Sequence, residues 1–125
     1  MASPFEQLQA MRTMPENWDG YGAAAPLLQV IDLAQELVEL IQDGLRKPQA
    51  ESPVLHVSPT RIGGILIEWE DRSMQHEVEI NPDRSIGFLH LNPTTGHVET
   101  RKFIASLPTV VHPGFLRELR HLWAA

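Results

Sequence analysis

The sequence predicts an α+β fold: an antiparallel four- to five-stranded meander with two N-terminal helices and one C-terminal helix, the helices covering one sheet face. Three observations predict it. From Gly63 to Ile80, Ile65, Ile67 and Trp69 alternate with Leu66, Glu68 and Glu70, and Met74, His76, Val78 and Ile80 alternate with Gln75, Glu77 and Glu79. Period-two alternation of that length marks two strands, each with one buried and one solvated face. Between Pro26 and about Asp43 the apolar residues recur instead at the helical period. The strand-like segments also stand in one block with helical segments at both ends, the pattern of α+β rather than of alternating α/β chains.

Taken in order, Ser3-Pro4-Phe5-Glu6 has the form of a capping box, with Ser3 as N-cap, Pro4 at the first helical position and Glu6 three residues after the cap. Phe5, Leu8, Met11 and Met14 then share one side of a short helix that Pro15 stops. Glu16-Asn17-Trp18-Asp19-Gly20-Tyr21-Gly22-Ala23 is a loop that interleaves glycines with large aromatics. Glycine permits positive φ, and an aromatic pins a loop to a core. The loop is thus either a structural plug between two helices or a binding loop, with Trp18 and Tyr21 as contacts and Asp19 as a polar handle. In the second helix, Pro26 to about Asp43 with Gly44 as C-cap, Val30, Leu33, Ala34, Leu37, Val38, Leu40, Ile41 and Leu45 cover one arc. Asp32, Glu36, Glu39 and Asp43 form a band on the other side, and that band contains no Lys or Arg. It is either a solvated face or a docking stripe for a basic partner.

Arg46 to Pro53 is a polar linker, and Val54-Leu55-His56-Val57 reads as a first strand ended by Ser58-Pro59. In the central hairpin a two-residue turn at Asp71-Arg72 would set Trp69 opposite Met74, Ile67 opposite His76 and Ile65 opposite Val78, all on one face. Asn81-Pro82-Asp83-Arg84 is a turn, followed by a third arm over 85–91. A loop of two or four residues would turn Leu89 and Leu91 inward; an odd-length loop would turn Ile86 and Phe88 inward. Asn92 to Gly96 is a further turn, and the polar stretch 97–104, with Glu99, Arg101 and Lys102, suits an edge strand. A last helix over about 114–124 places Phe115, Leu116, Leu119, Leu122 and Trp123 on one face and Arg117, Arg120 and His121 on the other. Its wide apolar stripe must pack at the sheet edge or against another chain, so a homodimer through this helix or through the outer sheet face is expected.

A length of 125 residues with 42% hydrophobic content suits a single domain, residues 1–125, with one core. A net charge of −6 argues against a protein whose affinity comes from nucleic-acid phosphates. The absence of cysteine excludes a disulfide framework and thiolate metal sites, and a reducing cytoplasm is the expected compartment. The first residues carry neither the basic nor the apolar region of a signal peptide. No apolar run reaches the roughly 18–20 residues that span a bilayer. A cytoplasmic, non-membrane protein is expected.

Trp18-Asp19-Gly20-Tyr21-Gly22-Ala23, Gly63-Gly64-Ile65-Leu66-Ile67-Glu68-Trp69, and Glu77-Val78-Glu79-Ile80 before a Pro-Asp turn together resemble a family of small uncharacterised bacterial proteins. Those share a W-D-G-Y-G-A loop, an amphipathic helix, and a G-G-I-x-L-E-W strand followed by an E-I-x-P-D-G turn. The likeness covers residues 15–90, and Arg84 departs from it where the pattern has Gly, which puts the turn geometry in question. The resemblance implies the fold and a bacterial or phage origin; it assigns no catalytic residue.

The candidate chemistry is sparse. There is no H-E-x-x-H, no G-x-S-x-G and no phosphate-binding glycine loop. With a short turn after Ile80, Glu77 would pair with His90 on the outer face as the acid–base or metal pair of a small hydrolase, the alternative reading. His76 points toward the core face, where a hydrogen-bonded structural histidine is the common finding. Arg101, Lys102, Arg117, Arg120 and His121 offer a small basic patch, but the aromatic–basic interleaving of an RNA-binding sheet is missing. The expectation is therefore a protein-interaction module with no catalytic residue, cofactor or metal. Its partner would be another protein with a basic surface, engaged by Asp32, Glu36, Glu39, Asp43, Trp18 and Tyr21.

Overall fold

The computed structural model describes residues 2–45, 53–71, 73–83 and 85–104. Helices α1 (Pro4–Met11) and α2 (Leu28–Leu45) precede strands β1 (His56–Pro59), β2 (Ile65–Asp71), β3 (Met74–Ile80), β4 (Ser85–Leu91) and β5 (Val98–Ile104). All five strands form one antiparallel sheet in chain order. This is the predicted α+β meander. The expected helix at 114–124, and the dimer contact assigned to it, lie outside the described residues, as does nearly all of the 46–53 linker. Among the described residues no helix is long and apolar enough to cross a membrane.

α1 starts as its sequence directs: Ser3 Oγ accepts the Glu6 N–H at 3.1 Å, and Glu6 Oε1 accepts the Ser3 N–H at 3.4 Å. α2 begins two residues later than Pro26, with the Leu27 carbonyl accepting the N–H groups of Val30 and Ile31 at 3.0 Å each. Gly44, expected as its C-cap, falls inside the helix. Val30, Ile31, Leu33, Ala34, Leu37, Val38 and Ile41 of α2 join Leu8 and Met11 of α1 in a single core with the inner sheet residues.

The central hairpin differs from the sequence reading by two residues of register. Asp71 pairs with Met74, so the strands meet two residues further along than expected, and Ser73 takes φ +64°, the positive value that a two-residue hairpin turn demands. Trp69 therefore faces His76, Ile67 faces Val78 and Ile65 faces Ile80. An even shift leaves every side chain on its expected face.

The next turn resolves the open alternative. The Asn81 N–H donates to the Ser85 carbonyl at 2.9 Å, closing a three-residue loop over 82–84. Asp83 Oδ1 accepts the Ser85 N–H at 2.8 Å and its hydroxyl at 2.6 Å, and Asn81 Nδ2 donates to the same hydroxyl oxygen at 2.9 Å. The odd length turns Ile86 and Phe88 into the core and leaves Leu89 and Leu91 half-buried on the outer face.

At the first edge, the Thr60 N–H reaches the Gly64 carbonyl at 3.0 Å, so even-numbered β1 residues bond toward β2 and odd-numbered ones point away. Of the latter, the Val57 N–H is taken by Gln7 Oε1 at 2.7 Å, and Pro59 has none. α1 thus closes this edge against another strand. Gly64 is fixed by close approach: a Cβ there would collide with the Ile80 carbonyl oxygen.

Trp69 is 5% exposed and meets Phe88 edge to face at 6.5 Å. Trp69→Ala is expected to cost about 3–5 kcal/mol, read as a lowered denaturant midpoint with an unchanged slope; a near-neutral result would contradict its place in the core.

Candidate functional site

The loop between the helices is built around Asp19. Its Oδ1 accepts the N–H groups of Tyr21 at 2.8 Å and Ala23 at 3.1 Å, and its Oδ2 accepts Arg61 Nε at 2.9 Å. The same guanidinium donates to the Tyr21 carbonyl. The Tyr21 N–H is the largest influence on the carboxyl; with Ala23 and Arg61 it outweighs desolvation and holds Asp19 below the usual carboxylate range. Asn17, at φ +61°, accepts the Gly22 N–H on Oδ1 at 2.6 Å, and Gly20 and Gly22 take φ +78° and +84°. Trp18 is half-buried and donates from Nε1 to the Ala24 carbonyl at 2.9 Å. The two aromatics thus have different positions: Trp18 braces the loop, and Tyr21 projects from it, 83% exposed. Asp19, expected as a polar handle for a partner, is occupied within the loop.

Backbone contacts join two other segments at this end. Ala24 forms a parallel bridge with Ile62, and the Leu27 N–H donates to the Gly63 carbonyl at 3.3 Å. Tyr21, Leu27, Leu28 and Ile62 are four of the six exposed large hydrophobics among the described residues. All four stand on segments that these backbone contacts bring together.

Leu28 stands one helical turn before Asp32, so the acidic band of α2 runs away from this end of the helix for about 16 Å from Asp32 to Asp43. The band is less uniform than its own helix implies. Arg12, the C-cap of α1, pairs through Nη2 with Asp32 Oδ1 at 2.7 Å. Glu36 is half-buried, and its carboxyl is pushed up first by that burial and then by Glu39. Glu39 and Asp43 are exposed.

Glu77 and His90 do not form a pair. The three-residue turn sets Glu77 opposite Leu89 on the outer face and His90 opposite His76 on the inner one. On the outer face Glu68 lies between His56 and Glu77 across the strands. Burial, then Glu68 and Glu79, push the Glu77 carboxyl up. Among the described residues no group of three or more His, Asp or Glu has the geometry to hold a metal ion. On the inner face Trp69, His76, His90 and Glu99 occupy one cross-strand row, with the Nδ1 atoms of the two histidines 2.6 Å apart.

Comparison with protein-family models, curated proteins and solved structures finds no match. Sequence reasoning missed three features here: the Arg61 clamp, the bridge between the loop and Ile62, and the histidine pair. Only the last had a signal, since His76 and His90 each sit on an apolar alternation.

Glu77 supplies a pH test. Its pKa is raised on folding, so the ionised form is disfavoured in the folded state; the penalty is present at neutral pH and fades as pH falls through the folded value. Glu77→Gln is expected to raise the thermal midpoint at pH 7, with the gain vanishing near pH 4, where the wild-type carboxyl is itself protonated.

Proposed function

We propose that this chain is a non-enzymatic protein-interaction module, a neutralising partner of the antitoxin, immunity-protein or anti-defence-inhibitor type, acting in a bacterial or phage cytoplasm by binding another protein. The observation that carries the reading is the Tyr21 end of the molecule. Asn17, Trp18, Asp19 and Arg61 hold one loop in one shape, and the side chain displayed by that shape is an exposed tyrosine. A rigid loop lowers the ordering entropy lost on binding. Tyrosine is among the residues that most often dominate binding energy.

The partner of this reading offers an apolar hollow for Tyr21 and its neighbours Leu27, Leu28 and Ile62. A basic flank would lie along α2, facing Glu36, Glu39 and Asp43. Charge complementarity of that kind speeds encounter and fixes orientation, while the apolar centre supplies affinity. The physical profile supports the same class: a small acidic domain with no cysteine and no catalytic signature. The likeness of its loop and strand motifs to small bacterial proteins supports the proposed origin.

Two variants test it against the partner captured from the native host and then purified. Tyr21→Ala is expected to weaken binding by about 2 kcal/mol or more, some thirtyfold, while stability stays within about 0.5 kcal/mol. Unchanged affinity would remove the loop from the interface. Replacing both Glu36 and Glu39 with Lys is expected to raise stability by a few tenths of a kcal/mol and to slow association. An unaltered association rate would leave the α2 band as plain solvated surface.

A further inference from the structure

His76 and His90 are directly opposed on β3 and β4 and are each 8% exposed. Because the Asn81 N–H bonds across to Ser85, odd-numbered β3 residues bond toward β4, and His76–His90 is a non-hydrogen-bonded pair, the kind with the closer side chains. The ring centroids are 4.8 Å apart with the planes at 76°, and Nδ1 meets Nδ1 at 2.6 Å. Trp69 stacks on His76 at 5.2 Å and 29°, and the Phe88 ring lies 4.4 Å from that of His90.

Two ring nitrogens at that distance are joined by one proton between them. One histidine donates from Nδ1, and the other must present a bare Nδ1 and carry its own proton on Nε2. A first extra proton can enter at the donor ring's Nε2 and leave the bond in place. A second has to occupy the accepting Nδ1, setting two N–H groups against each other between two positive rings. In an opened sheet nothing prevents both imidazoles from charging near their ordinary pKa of about 6.5. The open state therefore binds more protons than the closed one, and acid favours it.

We propose that the His76–His90 pair is a proton-operated latch. Near neutral pH the shared N–H···N bond holds β3 to β4 beneath Trp69; in mild acid the second extra proton releases it and loosens the inner face at this end of the sheet. The described charges on that side are few. Asp71 of β2 favours the charged form of His76, but burial is the larger influence and keeps that ring's pKa below the ordinary value. Glu99 of β5 stands opposite His90, and its Oε1 lies 3.2 Å from His97 Nε2. The buried side chains of α2 are all apolar, and His56 of β1 belongs to the opposite face.

The test is an NMR titration of the imidazole nitrogens in the full chain from pH 8 to 4.5, with the Trp69 indole N–H signal followed in the same samples. At pH 7.5 the two histidines are expected in opposite tautomers, one protonated on Nδ1 and the other on Nε2. On acidification, double charging of the pair is expected to coincide with displacement of the Trp69 signal, the open-to-closed ratio rising up to about tenfold per pH unit below about pH 6. His90→Phe, which keeps an aromatic ring but no proton site, is expected to abolish the acid transition. If that variant fails to fold, the wild-type tautomers decide. Identical tautomers in the two rings, or double charging with the Trp69 signal unmoved, would overturn the latch.

Discussion

A sheet with one dry face admits only one parity, and in this protein the lengths of the turns determine it. Every inward residue from Val57 to Phe88 belongs to a single alternation carried through three hairpin connections. A turn longer or shorter by one residue would move a whole strand's apolar set into water. The side chains of Asn81, Asp83 and Ser85 therefore act well beyond their own loop. By fixing a three-residue connection they place Ile86 and Phe88 in the core, and they carry His90 onto His76 and away from Glu77.

The second fixed element is the junction of loop, helix and strand at Gly63-Gly64. Gly64 passes where the Ile80 carbonyl leaves no room for a side chain, and Gly63, at φ +87°, lies against the Ala25 carbonyl. That closeness lets the 17–24 loop bridge to Ile62 and lets Arg61 reach Asp19. The two glycines that open the β2 strand in the sequence and the W-D-G-Y-G-A loop are thus parts of one structure. Neither explains its own geometry without the other.

The sequence was informative where one physical signal had no competitor. In β2 and β3 the alternation is broken only by Leu66, so the faces could be read even though the turn residue could not. Asp71 and Ser73 both suit a turn, and the choice between them moves the register by two, which alternation cannot detect. In β4, Ile86, Phe88, Leu89 and Leu91 put apolar side chains on both alternations, and only the bonds among Asn81, Asp83 and Ser85 select one. The α2 band showed its composition but not its neighbour Arg12, because a cation twenty positions away in the chain has no local trace. The loop showed its aromatics but not their division of labour, which depends on where Arg61 lands.

Charge is distributed along the same line. Arg12 and Arg61, the two basic residues whose side chains are described, are both committed to carboxylates of the chain itself, and each joins segments far apart in sequence. Attractive pairs thus fix the geometry, while Glu36 and Glu39, and Glu68 and Glu77, face like charges. Repulsion between exposed or half-exposed carboxylates is weak in water and screened by salt, so the fold carries it at small cost. The same uncompensated charge acts at longer range on an approaching cationic surface, where it raises the rate of encounter. The arrangement lowers stability slightly and would favour association with the proposed cationic partner. It is the asymmetry expected if the acidic side of α2 serves the proposed partner and α1 serves the fold.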